Sequence, residues 1–143
     1  MDRTTFRKMY ETDIYNQAGV QGYAYVPHGI SVAVSDPRKM DVPGTNPEQL
    51  LGLALSTCLN ATLQAIEAEQ GLEHQASVHV HVTMGKSNTG LEFLVEALVR
   101  IPNVSSEQAQ KMLQLAEKRC PVSKLLSGSA NYSVLLVDED SLS

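Results

Sequence analysis

The sequence lacks tryptophan and is poor in aromatic and basic side chains. It contains no Trp, five Tyr and two Phe in 143 residues, so it is poorly supplied with the side chains that stack on single-stranded bases. Its 11 Lys and Arg stand against 16 Asp and Glu, which gives a formal net charge of −5. No basic patch emerges from this balance. We therefore expect neither nucleic acid nor an anionic membrane surface as a partner.

The sequence also lacks a secretion signal and a long apolar run. The first residues, Met1 to Lys8, contain no apolar segment of the kind that directs secretion. The most apolar stretch, Leu50 to Leu59, is far too short to span a bilayer. The two cysteines are too few for a small secreted disulfide scaffold. These features predict a cytoplasmic protein whose cysteines are free thiols or a redox pair.

The length and composition predict a single domain over residues 1–143. Hydrophobic residues make up 43% of the chain and charged residues 19%, which is an ordinary globular profile. A chain of this length can bury one core without a metal or a disulfide. We expect a core of its own and no structural cofactor.

Hydrophobic periodicity and turn residues predict the order of strands and helices. Residues 4–36 are typical of two or three short strands in a meander, and residues 77–84 and 91–101 of a hairpin. A final strand is predicted over 132–137. Because helical patterns separate these strands, the fold class is α+β, with helices on one face of an antiparallel sheet.

Capping signatures predict where the helices begin. Thr45 followed by Glu48 matches a capping box, and Pro47 suits the first helical turn. The helix is predicted to run to Gly71 and to be buried all round, because residues 50–59 are apolar or small on nearly every side. Ser105 caps a second, amphipathic helix that ends near residue 119, and Ser123 is predicted to cap a further turn.

The two cysteines are the first candidates for chemistry. Cys58 lies in the middle of the predicted apolar helix, where a cysteine is most often a small core hydrophobe. Cys120 follows a helix end and precedes Pro121, so we expect it near the surface. The carbonyl groups at a helix C-terminus disfavour a thiolate, which makes Cys120 a resolving thiol rather than an attacking one.

Two histidines raise the alternative of a metal site. His79 and His81 lie on one face of a predicted strand, and with the cysteines they would form a Cys₂His₂ set. The spacing does not match known zinc fingers. The alternating valines of that strand already take the core face, so the histidines point to solvent or to a partner, and we expect no metal.

A cation and a carboxylate flank the entrance of the first predicted helix. Arg38 and Glu48 are ten residues apart. One interpretation is an ion pair on the rim, which would add little stability. The other is an arginine that favours the thiolate of a cysteine and is held in place by Glu48.

Two motifs together resemble the OsmC/Ohr family of osmotically inducible and organic-hydroperoxide-resistance proteins. The first is Gly44-Thr45-Asn46-Pro47-Glu48, with Cys58 ten residues after the glutamate, and the second is Cys120-Pro121-Val122-Ser123. The spacing between them also fits, and the likeness covers most of the chain. The second motif is more similar to the OsmC branch, because the Ohr branch tends to carry an aromatic residue in the third place.

The resemblance implies a thiol-dependent peroxidase that reduces organic hydroperoxides in oxidative stress defence. It implies Cys58 as the peroxidatic cysteine, Cys120 as the resolving one, Glu48 as the residue that orients the catalytic arginine, and Arg38 as that arginine. It further implies an intertwined homodimer with sheets around central helices, active sites at the subunit interface, and a dithiol reductant such as a lipoyl protein. No cofactor is implied.

Two questions stay open at this point. A straight helix separates Glu48 from Cys58 by about 15 Å, so one arginine cannot easily touch both. Either the helix breaks, with Gly52 the plausible place, or one group comes from the second subunit. The alternative function is a thiol redox sensor or a ligand-binding domain on the same fold, without turnover.

Overall fold

The computed structural model describes residues 1–39 and 41–138. The chain divides into two compact units, Met1–Asn46 and Pro47–Ser143. The single domain over residues 1–143 stays a prediction. In the described residues the first unit contains only strands and the second contains both helices and strands. This mixed α+β content confirms the predicted fold class.

The first unit contains a small antiparallel meander, as predicted. Its strands are β1 (Tyr15–Asn16), β2 (Tyr23–Tyr25) and β3 (Ser31–Ala33), in the sheet order β1-β2-β3. Tyr15 faces Tyr25 across the first pair, and their rings stack with centroids 5.8 Å apart. The strands are shorter than the pattern over residues 4–36 suggested, and no strand forms in residues 4–14 of the described chain.

Gly44 belongs to the first sequence motif, and the backbone around it explains the residue type. Its φ is +147°, a conformation that side chains disfavour, and a Cβ there would lie 3.0 Å from the backbone nitrogen of Ser35. This close approach accompanies a parallel bridge between Val34 and Thr45. Glycine is therefore required because two backbone segments meet here.

The second unit packs helices against a three-stranded sheet in the order β4-β5-β6. Its elements, in chain order, are α1 (Pro47–Glu69), β4 (Ser77–Ser87), β5 (Gly90–Arg100), α2 (Ser106–Arg119), α3 (Pro121–Leu126) and β6 (Tyr132–Leu136). Helix α1 begins at Pro47 as predicted, and Gly71 follows its end with φ +73°. The Ser105 side chain caps α2 by accepting a hydrogen bond from the Gln108 N–H.

The sheet of the second unit is mixed rather than wholly antiparallel. Strands β4 and β5 form the predicted antiparallel hairpin, whereas β6 runs parallel to β5. The reason lies in the connection. Helices α2 and α3 carry the chain back towards the start of β5, so the next strand runs in the same direction.

The core lies between one face of α1, the inner face of the sheet and α2. Buried residues recur on α1 at Leu55, Leu59, Leu63 and Ile66. The opposite face of α1 is open, and Leu53 is 62% exposed. The prediction that α1 is buried on all sides is thus wrong for the single chain, because sheet and helices cover only one of its faces.

Helix α1 passes a simple test for a membrane span. Among the described residues it is the one helix that is long and apolar enough, by length and composition alone, to cross a bilayer. The helix has 23 residues, although the apolar stretch over residues 50–59 within it is shorter. The side chains on one of its faces, Leu55, Leu59, Leu63 and Ile66, pack in the core cluster with the sheet and α2.

A buried carboxylate holds the connection between α1 and β4. Glu67 is 2% exposed. Its Oε2 accepts hydrogen bonds from the backbone N–H groups of Gln75 and Ala76 at 2.9 and 3.1 Å, and its Oε1 lies 2.6 Å from His74 Nδ1. Glu67, near the end of α1, therefore serves as an internal acceptor for the following loop.

Replacing Glu67 tests this role. We expect Glu67→Ala to lower the free energy of unfolding by about 2–3 kcal/mol, because two backbone N–H groups would lose their acceptor. Chemical denaturation measures the change. Glu69→Ala is the matched control on the same helix, since Glu69 forms an exposed salt bridge with Arg119 and should change stability by less than about 1 kcal/mol. Equal effects of the two variants would contradict the role.

Candidate active site

The fold brings the two cysteines of the chain into contact. They are 62 positions apart in sequence, and their Sγ atoms lie 3.1 Å apart. Cys58 projects from the middle of α1, and Cys120 lies between α2 and α3. Since a disulfide needs about 2.05 Å between the sulfurs, an approach of about 1 Å would join them.

The junction of α2 and α3 positions Cys120. Its backbone N–H donates to the Ala116 carbonyl and closes α2, while its Sγ accepts a hydrogen bond of 3.4 Å from the Ser123 N–H. Pro121 starts α3 immediately, where its missing N–H costs nothing. Cys120 is therefore the cap of α3, and the predicted cap, Ser123, lies inside the first turn instead.

The burial of the two thiols is the reverse of what the sequence predicted. Cys120 is fully buried and belongs to the core cluster, whereas Cys58 is half-buried. The surface position expected for Cys120 is wrong because α3 begins at once and keeps the chain against the core. The more accessible sulfur is thus the one on the long helix.

Burial also decides the protonation of Cys120. Removal from water raises the pKa of the Cys120 thiol, and the neighbouring Cys58 sulfur raises it further, while the Ser123 and Val122 backbone N–H groups act in the opposite direction. Cys120 is thus a neutral thiol at neutral pH. In that state it donates its hydrogen bond to the Cys58 sulfur.

Glu48 lies in the first turn of α1 and contributes to an open cavity of about 550 Å³ between α1 and β4. The cavity is lined by Glu48, Gln49, Gly52, Leu53, Ser56, Val78, His79, Val80 and Val82. The Glu48 Oε2 is buried and has no hydrogen-bond partner in residues 1–39 and 41–138. Buried carboxylate oxygens in proteins almost always accept a hydrogen bond, so this oxygen is a binding position for a donor group.

Helix α1 is continuous past Gly52, which answers one of the open questions. A Cβ added at Gly52 would lie 3.9 Å from a methyl group of Val80 and of Val82, and the helix runs unbroken from Pro47 to Glu69. The suggested break is wrong. Ten helical residues therefore separate Glu48 from Cys58, which corresponds to about 15 Å.

Arg38 belongs to the first unit and forms an ion pair there. Its Nε and Nη2 donate to the two carboxylate oxygens of Asp36 at 3.0 and 2.8 Å, and its side chain is 68% exposed. The hydrogen bonds from Arg38 lower the pKa of Asp36 to about 2. The role assigned to Arg38 by resemblance stays a prediction.

A pair of hydroxyl groups near Cys120 is the part of the site that the sequence did not reveal. Ser123 Oγ and Tyr132 Oη lie 3.0 Å apart. Burial raises the pKa of Tyr132, its hydrogen bond with Ser123 acts in the opposite direction, and the nearby Cys120 raises the pKa further. Ser123 could be read from the sequence only as a weak helix-capping residue. Nothing in the sequence links Tyr132 to Cys120, because Tyr132 lies on a separate strand.

The histidines of β4 do not form the metal site considered above. The rings of His79 and His81 meet edge to face with centroids 6.5 Å apart. Within the described part of the chain, no group of three or more His, Cys, Asp or Glu side chains is placed to hold a metal ion.

The difference between the two thiols predicts the order of their alkylation. With a limiting amount of iodoacetamide at neutral pH, we expect Cys58 to react at least about tenfold faster than Cys120, because Cys120 is buried and its pKa is raised. Peptide mass spectrometry of the reduced, folded protein measures both rates. In denaturant the two should react alike, and preferential labelling of Cys120 in the folded protein would contradict the assignment.

Comparison with known proteins identifies the family. Residues 38–134 match the family described as OsmC-like protein. A Staphylococcus aureus organic hydroperoxide resistance protein-like sequence is 28% identical over 87% of this chain and 93% of its own length. The fold matches OhrB of Bacillus subtilis, an organic hydroperoxide resistance protein, with a TM-score of 0.80 at 23% identity over 90% of this chain and 98% of that one.

A Lactobacillus casei protein, provisionally named a redox protein, is more similar. It is 44% identical, with a TM-score of 0.89, over 97% of this chain and 98% of its own. The family match covers both sequence motifs, and the fold agrees with it. This chain is therefore a member of the OsmC/Ohr family.

Proposed function

We propose that the protein is a thiol-dependent peroxidase that reduces organic hydroperoxides. The observation that carries the proposal is the 3.1 Å contact between the Cys58 and Cys120 sulfurs. Cys58 is the attacking thiol, because it is the more accessible of the two. Cys120 is the resolving thiol, because it is held beside Cys58 and is a neutral thiol before the reaction.

The reaction takes place in three balanced steps. The Cys58 thiolate attacks the terminal oxygen of the hydroperoxide, the O–O bond breaks, and the alkoxide leaves with a proton as an alcohol, so that Cys58 becomes a sulfenic acid. The Cys120 sulfur then attacks the Cys58 sulfur, a disulfide forms, and hydroxide leaves with the Cys120 proton as water. An external dithiol finally reduces the disulfide by exchange and is itself oxidised to a disulfide.

The apolar surroundings of the thiol pair support an organic substrate. Leu55 and Leu59, which flank Cys58 on α1, are fully buried. On the same helix Leu51 lines a cavity of about 290 Å³ that also contains Phe93 and Tyr132. The side chains of Leu51 and Phe93, rather than the fully buried Leu55 and Leu59, give this cavity an apolar wall that can contact a hydrocarbon tail and offers little to hydrogen peroxide.

Arg38, Glu48 and a second subunit complete the proposed site. The orphaned Glu48 oxygen fits a guanidinium as its donor. Because α1 is unbroken, one arginine cannot touch Glu48 and Cys58 of the same chain. The open face of α1, with Leu53 62% exposed, supports a homodimer packed on this helix. Arg38 and Glu48 of one subunit would then serve the thiols of the other.

The proposed compartment follows from the chemistry. Turnover requires that the disulfide be reduced again, so the protein belongs where dithiols are kept reduced, as in the cytoplasm. A lipoyl group presents two thiols on one carrier and suits the exchange step.

Turnover assays test the central proposal. We expect the protein to consume cumene hydroperoxide over many cycles with dihydrolipoamide as reductant. Cys58→Ser should abolish consumption, because the nucleophile is lost. Cys120→Ser should still be oxidised once and then lose activity as excess peroxide converts Cys58 to sulfinic acid. Consumption of dihydrolipoamide measures the turnover of the wild-type protein and of Cys58→Ser. Intact-protein mass spectrometry detects the oxidation of Cys120→Ser.

The result that overturns the peroxidase proposal is equally specific. If the wild-type protein consumes one equivalent of peroxide and stops in the presence of dihydrolipoamide, it is a redox sensor rather than a catalyst. If Cys120→Ser cycles like the wild type, Cys120 is not the resolving thiol. The two cysteine variants are controls for one another, since each keeps one thiol of the pair.

Mixed dimers test whether Arg38 acts across the subunit interface. We expect Arg38→Ala to lower kcat/KM by about 100-fold, the usual cost of removing one charged donor from an active site. Co-expression of Arg38→Ala with Cys58→Ser chains under two different tags yields heterodimers in which one site pairs a wild-type Cys58 with the partner subunit's intact Arg38. That site should recover about half of the wild-type activity per dimer.

Two controls define the outcome. Heterodimers of Arg38→Ala with Glu48→Ala should stay inactive. One proposed site then lacks the Arg38 guanidinium, and the other lacks the Glu48 carboxylate. Lys39→Ala, which removes the neighbouring cation, should stay within about twofold of the wild type. An inactive Arg38→Ala/Cys58→Ser heterodimer would place Arg38 with its own subunit's thiol, and an unaffected Arg38→Ala homodimer would remove Arg38 from the site.

A further inference from the structure

Behind the resolving cysteine lies a hydrogen-bonded pair that the peroxidase proposal does not use. Ser123 is 2% exposed and its hydroxyl lies 3.0 Å from that of Tyr132. The two residues come from different elements, α3 and the first position of β6. A hydroxyl pair enclosed in this way links the short helix to the edge of the sheet.

The same serine contacts the Cys120 sulfur through its backbone. The Ser123 N–H donates to Cys120 Sγ at 3.4 Å, and Cys120 Sγ in turn donates to Cys58 Sγ. A continuous series of contacts therefore runs from Tyr132 through Ser123 to the thiol pair. Helix α3 has six residues, and Cys120 and Ser123 both lie at its start.

We propose that Tyr132 and Ser123 are positioning residues that hold the Cys120 sulfur in line for attack on oxidised Cys58. This inference rests on the proposed function. The sulfurs must approach by about 1 Å to form a disulfide, and small misplacements of reacting groups are costly. The hydroxyl pair acts on the second step only, because the first step involves Cys58 and the hydroperoxide.

Separate measurement of the two steps tests the proposal. The reduced protein is mixed with one equivalent of cumene hydroperoxide and quenched with maleimide at increasing times. Mass spectrometry then gives the loss of the Cys58 thiol and the appearance of the Cys58–Cys120 disulfide. In Tyr132→Phe, which keeps the ring and removes the hydroxyl, we expect disulfide formation to slow about tenfold while oxidation of Cys58 keeps its rate.

Further variants separate positioning from stability. Ser123→Ala should slow the same step, and the double variant should be no slower than either single one, because the two hydroxyls act as a unit. Under excess peroxide, each should accumulate sulfinic acid at Cys58 faster than the wild type. Ser133→Ala is the matched control, since Ser133 is the next residue of β6 and lies exposed on the other face of the sheet.

Each outcome decides between the two proposals. If the wild-type protein forms no Cys58–Cys120 disulfide, the proposed function fails and this inference fails with it. If the wild type and Tyr132→Phe form the disulfide at the same rate, the positioning role alone is wrong. Equal slowing of both steps, accompanied by a lower melting temperature, also overturns it, because a purely structural role would then explain the loss.

Discussion

The contact between the sulfurs of Cys58 and Cys120 is the constraint on which the rest of the site depends. One sulfur is carried by helix α1 and the other by the junction of α2 and α3, and both residues pack in or against the core. The distance is short enough for a hydrogen bond, and an approach of about 1 Å would give a disulfide. The fold thereby keeps a reduced pair ready for oxidation at little conformational cost.

The two sulfurs differ although they are in contact, and this difference supports the roles proposed for them. Burial leaves Cys120 as a neutral thiol, while Cys58 remains half-buried and accessible. An attacking thiol must meet a substrate from outside, whereas a resolving thiol needs only its partner. The arrangement therefore suits a sequence of external attack followed by internal closure, which is the chemistry proposed for this OsmC/Ohr family member.

Two features of α1 indicate a surface that is covered by another chain. The Glu48 carboxylate has a buried oxygen without a donor in the described residues, and one side of α1 exposes Leu53. Both lie on the same helix as Cys58. In the proposed homodimer a second copy of the chain would cover the apolar face of α1, and Arg38 and Glu48 of one subunit would act on the thiols of the other.

Local patterns in the sequence determined the elements, and tertiary packing decided the site. Pro47, Gly71 and the Ser105 cap act through neighbouring residues, so the bounds of α1 and the start of α2 could be predicted. The parallel direction of β6, the full burial of Cys120 and the Ser123–Tyr132 pair could not. Each depends on residues that are distant in sequence, and only the folded chain brings those residues together.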